Sequence, residues 1–160
     1  MSKSSIDKNI KEAPFVPKEG QVDFSHIRWC PVVNCVVVYN RKALIVERNK
    51  AMRLYPEYWN GISGFLDDQK SLEEKVREEL LQETGLKDYD ISAIQLCGIF
   101  DQEARDIGKT WIVHAVRVEV TTDKLTFDWE SQNHKWVTKA EALEHKLLPG
   151  FEEVLEAVLS

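Results

Sequence analysis

The spacing of apolar and polar positions divides the chain into strand-like and helix-like stretches. Two β-branched runs, Cys30-Pro31-Val32-Val33-Asn34-Cys35-Val36-Val37-Val38 and Ala43-Leu44-Ile45-Val46, flank the polar turn Tyr39-Asn40-Arg41-Lys42 and predict a hairpin. Residues 71 to 84 change to helical periodicity. Tyr89 to Phe100 and Trp111 to Val120 return to strand composition around a polar loop, Asp101 to Lys109. Trp136-Val137 reads as one more short strand and Thr138 to His145 as a short helix. Apolar residues at 151, 154, 155, 158 and 159 then give the i, i+3, i+4 spacing of an amphipathic helix from Phe151 to Leu159. Strands, one helix, strands again and closing helices predict an α/β (α+β) fold with a mixed sheet flanked by helices. Pro14 and Pro17 interrupt the polar N-terminal stretch, so residues 1 to 25 are expected to be a flexible lead-in and residues 26 to 160 a single domain.

Composition narrows the function classes. At 160 residues, with 43% hydrophobic and 30% charged positions, the chain has the make-up of one globular domain with a packed core. A formal charge of -6 is a poor match for nucleic-acid backbone, and bulk polyanion binding is not expected. The longest apolar run, Cys35 to Tyr39, is far short of the ~20 residues of a membrane span, and residues 1 to 20 lack the apolar core of a secretory signal. Cys30, Cys35 and Cys97 are odd in number and lack metal-ligand spacing. They read as reduced thiols in a cytoplasmic protein.

The charge is concentrated. Between Gly64 and Leu86 stand seven acids (Asp67, Asp68, Glu73, Glu74, Glu78, Glu79, Glu83) and three bases (Lys70, Lys75, Arg77), which is -4 of the total -6. Ser71 with Glu74 forms a capping box and Gly85 stands at a helix end, so the helix is expected over Leu72 to Thr84. At about 100° per residue, Leu72, Val76 and Leu80 form a core-facing stripe, and Glu79 and Glu83 fall inside or beside it. Lys75 and Gln82 flank the pair. Carboxylates there need a partner, because desolvating them unpaired is costly. A hard divalent cation held by i, i+4 carboxylates is one solution. A solvated acidic face with ion pairs to Lys75 or a neighbouring strand is the other, and helix geometry alone leaves both open.

The segment resembles the Nudix box: Gly, five residues, Glu, seven residues, Arg-Glu, an aliphatic, any residue, Glu-Glu, any residue, Gly, aliphatic. Gly64, Leu80, Gly85 and Leu86 set the register without a gap, with Glu79 as the Glu of Arg-Glu and Glu83 as the second of Glu-Glu. Trp59-Asn60-Gly61-Ile62-Ser63 before the box, and Glu130 ahead of Trp136-Val137, resemble the family's flanking strands, so the likeness spans roughly residues 29 to 159. It implies an α/β/α sandwich and Mg²⁺-dependent hydrolysis of a diphosphate linkage in a nucleoside diphosphate joined to another moiety, with Mn²⁺ as an alternative cation. Glu79 and Glu83 would hold the cation, aided by Gln82 and the backbone carbonyl of Ser63 beside Gly64, to neutralise phosphate charge and activate water. Glu130 or Glu103 would act as general base. Arg48 and Arg53 are the candidates to hold phosphate. The partner is a small nucleotide-type diphosphate, and the resemblance leaves homodimerisation open.

Three positions depart from the pattern. Lys70 stands for the box Glu and Glu78 for the box Arg, so the structural pair that braces the loop on the helix is expected with its signs reversed. Gln82 replaces the first Glu of Glu-Glu, keeping an oxygen and losing a charge, which weakens cation binding. The alternative reading is therefore a Nudix-fold nucleotide-binding or sensor domain whose catalysis has weakened. His114 is read as a hydrogen-bonded core imidazole, and Trp111 and Trp129 as core or rim aromatics.

Overall fold

The structure, a computed structural model, describes residues 15 to 160. The first 14 residues of the expected lead-in lie outside the described residues.

The long apolar run of Trp29–Tyr39 becomes the central strand β1, which is buried on both faces. Its side chains alternate: Val36 and Val38 enter one core layer, and Val33, Cys35 and Val37 the other. Asn40 and Arg41, both at positive φ (51° and 65°), make the two-residue turn into β2 (Lys42–Arg48), a backbone twist suited to tight hairpins. Two short strands follow, β3 (Trp59–Asn60) and β4 (Ile62–Phe65), and then helix α1 (Leu72–Thr84). The remaining elements are β5 (Ile91–Ala104), β6 (Lys109–Val120), β7 (Ser131–Val137), α2 (Lys139–Ala142) and α3 (Phe151–Leu159).

Seven strands form one mixed sheet in the order β3-β2-β1-β6-β5, with β4 added to β1 and β7 to β2. The β1–β6 pair is parallel and the other ladders are antiparallel. Helix α1 covers one face through Val76 and Leu80, both fully buried. Helix α3 covers the other through Phe151, Val154, Leu155 and Val158. The sandwich has a helix on each side of the sheet, as the sequence pattern implies.

Three boundaries differ from the sequence pattern. The expected loop at 101 to 109 is mostly ladder: β5 and β6 stay paired from Gln102↔Trp111 to Ala104↔Lys109, and only a tight turn at Arg105–Ile107 and Gly108 remains. Polar composition there marks an edge strand facing water. Strand β7 extends N-terminally into the exposed residues 131 to 135 because β2 supplies a partner for its backbone. The helix expected over Thr138 to His145 is one turn, capped by Thr138.

The described part of the lead-in is tied down. Lys109 Nζ donates to the carbonyls of Phe24, Ser25 and Ile27, and Val22 N–H donates to Asp67 O (2.6 Å). Gln21 Nε2 adds a bond to Asp67 Oδ2 at 2.9 Å. Residues 21 to 25 thus carry hydrogen bonds to the domain while staying mostly exposed.

Candidate active site

Helix α1 is placed by local chemistry. Ser71 Oγ accepts from Glu74 N–H (3.2 Å) and Glu74 Oε1 accepts from Ser71 N–H (2.9 Å), a complete capping box. At the other end Gly85 is left-handed (φ 73°) and returns its N–H to Leu81 O. With Val76 and Leu80 docked on the sheet, Glu79 and Glu83 are carried into a cleft of about 550 Å³. The strand before α1 sets how closely they approach it. A Cβ at Gly64 would fall 2.5 Å from both Cδ and Oε1 of Glu79, so only glycine leaves room for that carboxylate against the β4 backbone.

Glu79 and Glu83 share a hydrogen bond, and each titrates above the ordinary carboxylate value. Burial is the main cause for both. For Glu83, the negative charges of Glu79, Glu130 and Asp128 push further in the same direction. Glu83 Oε2 is buried with no hydrogen-bond partner. Glu130 and Asp128 enter the cleft from the loop before β7, a loop fixed by Asn49 through its N–H to Glu130 O (2.7 Å) and its Nδ2 to Trp129 O (2.8 Å).

One turn toward the N-terminus the carboxylates are treated differently. Lys75 Nζ lies 3.1 Å from Asp68, 3.3 Å from Glu78, 3.4 Å from Asp67 and 3.9 Å from Glu79 Oε1, with only 6% of its side chain exposed. Burial opposes its charge, but hydrogen bonding to Asp68 and the charges around it prevail and hold the ammonium well above its ordinary pKa. Lys70 Nζ contacts Glu78 at 3.1 Å and Asp68 at 3.2 Å from the solvent side. Despite partial burial, Glu78 and Asp68 therefore titrate below their ordinary values.

The cleft brings together Glu79, Glu83, Gln82, Ser63, Gly64, Glu130 and Arg48 of the residues the sequence pointed to. Arg48 Nε donates to Leu54 O at 2.9 Å. Arg53, paired with it in the sequence reading, is not among the lining residues. Glu103 is also outside the lining; it is engaged by Arg105 Nε at 2.6 Å on the exposed β5–β6 turn, because the extended ladder carries it away from the box. His114 Nδ1 meets Val32 O and Ile112 O at 3.1 and 3.2 Å, a structural imidazole. Sequence reasoning offered Lys75 as an ion-pair partner of the acidic face, but missed Asp128 and the loop acceptors Asp67 and Asp68 that make Lys75 a hub. The i, i+3, i+4 spacing of Lys75, Glu78 and Glu79 was the available signal for the hub. At its other end the cleft is apolar, lined by Phe65, Trp111, Val113, Leu148 and Val154, with Phe65 and Trp111 edge to face at 5.9 Å.

The donor set suits a hard divalent cation. Among the described residues no three His, Cys, Asp or Glu side chains form a closed metal cage. Two carboxylates of α1, Glu79 and Glu83, are nevertheless together in the cleft, and Glu83 has a buried unpartnered oxygen. Mg²⁺ commonly binds through one or two carboxylates, keeping its other positions for water and substrate phosphate. Glu79 and Glu83, with the Gln82 amide and the Ser63 carbonyl, could hold such an ion.

Comparison with known proteins gives the class. The model of the NUDIX domain matches residues 23 to 158, and the chain belongs to that family. None of the curated proteins matches it. Among solved structures it is similar to the MutT protein from Methanosarcina mazei Go1 (TM-score 0.66, 19% identity, covering 82% of this chain and 93% of that one). It is also similar to the NUDIX domain of Shewanella oneidensis NrtR, solved with ADP ribose (TM-score 0.66, 18% identity, 98% and 96% covered). A third similar structure is a C. elegans Ap4A hydrolase in a binary complex (TM-score 0.62, 16% identity, 80% and 93% covered). At these identities the likeness is one of fold.

Proposed function

We propose that the protein is a Mg²⁺-dependent pyrophosphohydrolase acting on a nucleoside diphosphate joined to another moiety. The observation that carries this reading is the Glu79–Glu83 pair, with one buried carboxyl oxygen lacking a partner at the base of a large cleft. A divalent cation bound there would supply Lewis-acid neutralisation of the diphosphate and lower the pKa of water. The chain's own residues do the rest. Glu79 and Glu83 would hold that ion as carboxylates, and Gly64 keeps Glu79 against the strand. Glu130, held on its loop by Asn49, accepts the proton of the attacking water. Arg48, on the cleft lining, holds a substrate phosphate. The Phe65–Trp111 end takes the flat apolar part of the substrate.

ADP ribose and Ap4A, the compounds named with two similar structures, belong to this substrate class and open the test panel. Mg²⁺-dependent release of a nucleoside monophosphate from one member, lost in Glu83→Gln, is the expected result. Full activity in Glu83→Gln would sink the reading. Gln82 and the exchanged charges at 70 and 78 favour a second reading, a domain that binds such nucleotides without turning them over. Saturable nucleotide binding with no product at any Mg²⁺ concentration is its signature.

A further inference from the structure

We infer that Lys75 is a resident cation of the active site, a fixed ammonium standing in place of a second divalent ion, so that the protein works with one. This rests on the metal-dependent reading above and goes beyond it in assigning the number of ions and the residue that sets it.

Three observations converge. The first is placement. Lys75 projects from the same face of α1 as Glu79, one turn earlier, and its Nζ is within 3.9 Å of four carboxylates while nearly sealed from solvent. A bare acid cluster of this density needs cationic charge to be compact, and here a side chain delivers it. The second is the charge count. Asp67, Asp68 and Glu78 face Lys75 and Lys70, leaving one net negative charge in that half of the site before Glu79 is counted. Gln82 removes another carboxylate from the cleft wall. What remains for an incoming ion is the Glu79–Glu83 pair, whose field is reinforced by the charges of Glu130 and Asp128, and two carboxylates suffice for one hard cation that keeps its waters. The third is the contrast in satisfaction. Every carboxylate in contact with Lys75 has a cationic or hydrogen-bonding partner, whereas the buried oxygen without one, Glu83 Oε2, is on the far side of Glu79. The ammonium fills one half of the acidic site and leaves the other.

The same geometry makes Lys75 a positioning residue. Through Asp67 and Asp68 it anchors the loop between β4 and α1, and through Glu79 Oε1 it limits where that carboxylate can turn.

The test counts ions. Titration of the full-length, metal-stripped protein with Mn²⁺, followed by electron paramagnetic resonance, is expected to give one bound ion per chain for the wild type and for Lys75→Arg. Lys75→Met is expected to give two, with the first ion bound on the order of ten- to a hundredfold more tightly because a neighbouring positive charge is gone. A lysine that merely supports the fold would change the melting temperature and leave the count alone. Two or more ions in the wild type, or an unchanged count in a folded Lys75→Met, overturns the inference while leaving the hydrolase reading intact. No Mn²⁺ bound by the wild type overturns both. Should Lys75→Met not fold, Lys75→Gln, which also removes the charge, is counted in its place, with two ions expected and one overturning the inference.

Discussion

The two halves of helix α1 handle negative charge in opposite ways. Around Lys75, carboxylates from the loop and the helix are gathered onto an ammonium, and Glu78 and Asp68 titrate low as a result. One turn on, Glu79 and Glu83 share a hydrogen bond, with Lys75 touching only Glu79 at 3.9 Å, and both titrate high, chiefly because they are buried. The same residue type on the same helix is a brace in one place and a vacancy for charge in the other. Buried carboxylates that the fold satisfies hold structure; those it leaves unsatisfied mark where a ligand belongs.

That contrast can be broken from its unsatisfied side first. Glu83→Gln is expected to lower kcat/KM by on the order of 10²–10³, as removal of one charge-stabilising group in an enclosed site does. Steady-state kinetics with saturating Mg²⁺ reads it, and a loss below tenfold contradicts the assignment. Gly64→Ala is expected to cost about a hundredfold, since the new Cβ must displace Glu79 by the kind of small shift that misaligns a reaction. Its crystal structure should show the Glu79 carboxylate moved.

A smaller effect concerns pH. The unfolded chain ionises Glu83 near 4.5, and the folded chain keeps its proton to a higher value. The native state then binds more protons across the window above 4.5, so stability of the metal-free protein falls as pH rises through it. Scanning calorimetry should show this decline, and Glu83→Gln or added Mg²⁺ should flatten it. A melting temperature that climbs over that window contradicts the sign. The smallest effect belongs to Lys70. Its exposed contacts with Asp68 and Glu78 duplicate those of buried Lys75, so Lys70→Ala should leave the urea midpoint nearly unchanged. A large drop would move the brace from Lys75 to Lys70.

Much of this contrast was legible in the sequence. The capping box, Gly85 and the Val76–Leu80 stripe are local signals, and they place α1 within its observed bounds. The hairpin turn is equally local. Lys75 as a hub was not legible, because it depends on Asp67 and Asp68 folding back from the loop onto the helix, a contact that periodicity does not encode. The parallel β1–β6 pairing joins segments some eighty residues apart, such as Val33↔His114, and no pattern within either strand specifies it. Arg53 and Glu103 show the same gap from the other direction. Their charges suited phosphate or proton transfer, but neither lines the cleft: Glu103 is carried along the β5–β6 ladder, and Arg53 sits in the loop between β2 and β3.

The bond from Val22 N–H to Asp67 O has a practical meaning. Val22 lies just outside the span that matches the family, yet its amide is clasped by the loop that Lys75 organises. Its hydrogen-exchange rate is thus a built-in gauge of how often that loop opens, readable without substrate or metal. A chain trimmed to its family-matched residues would silence the gauge and uncover one side of Asp67 to water.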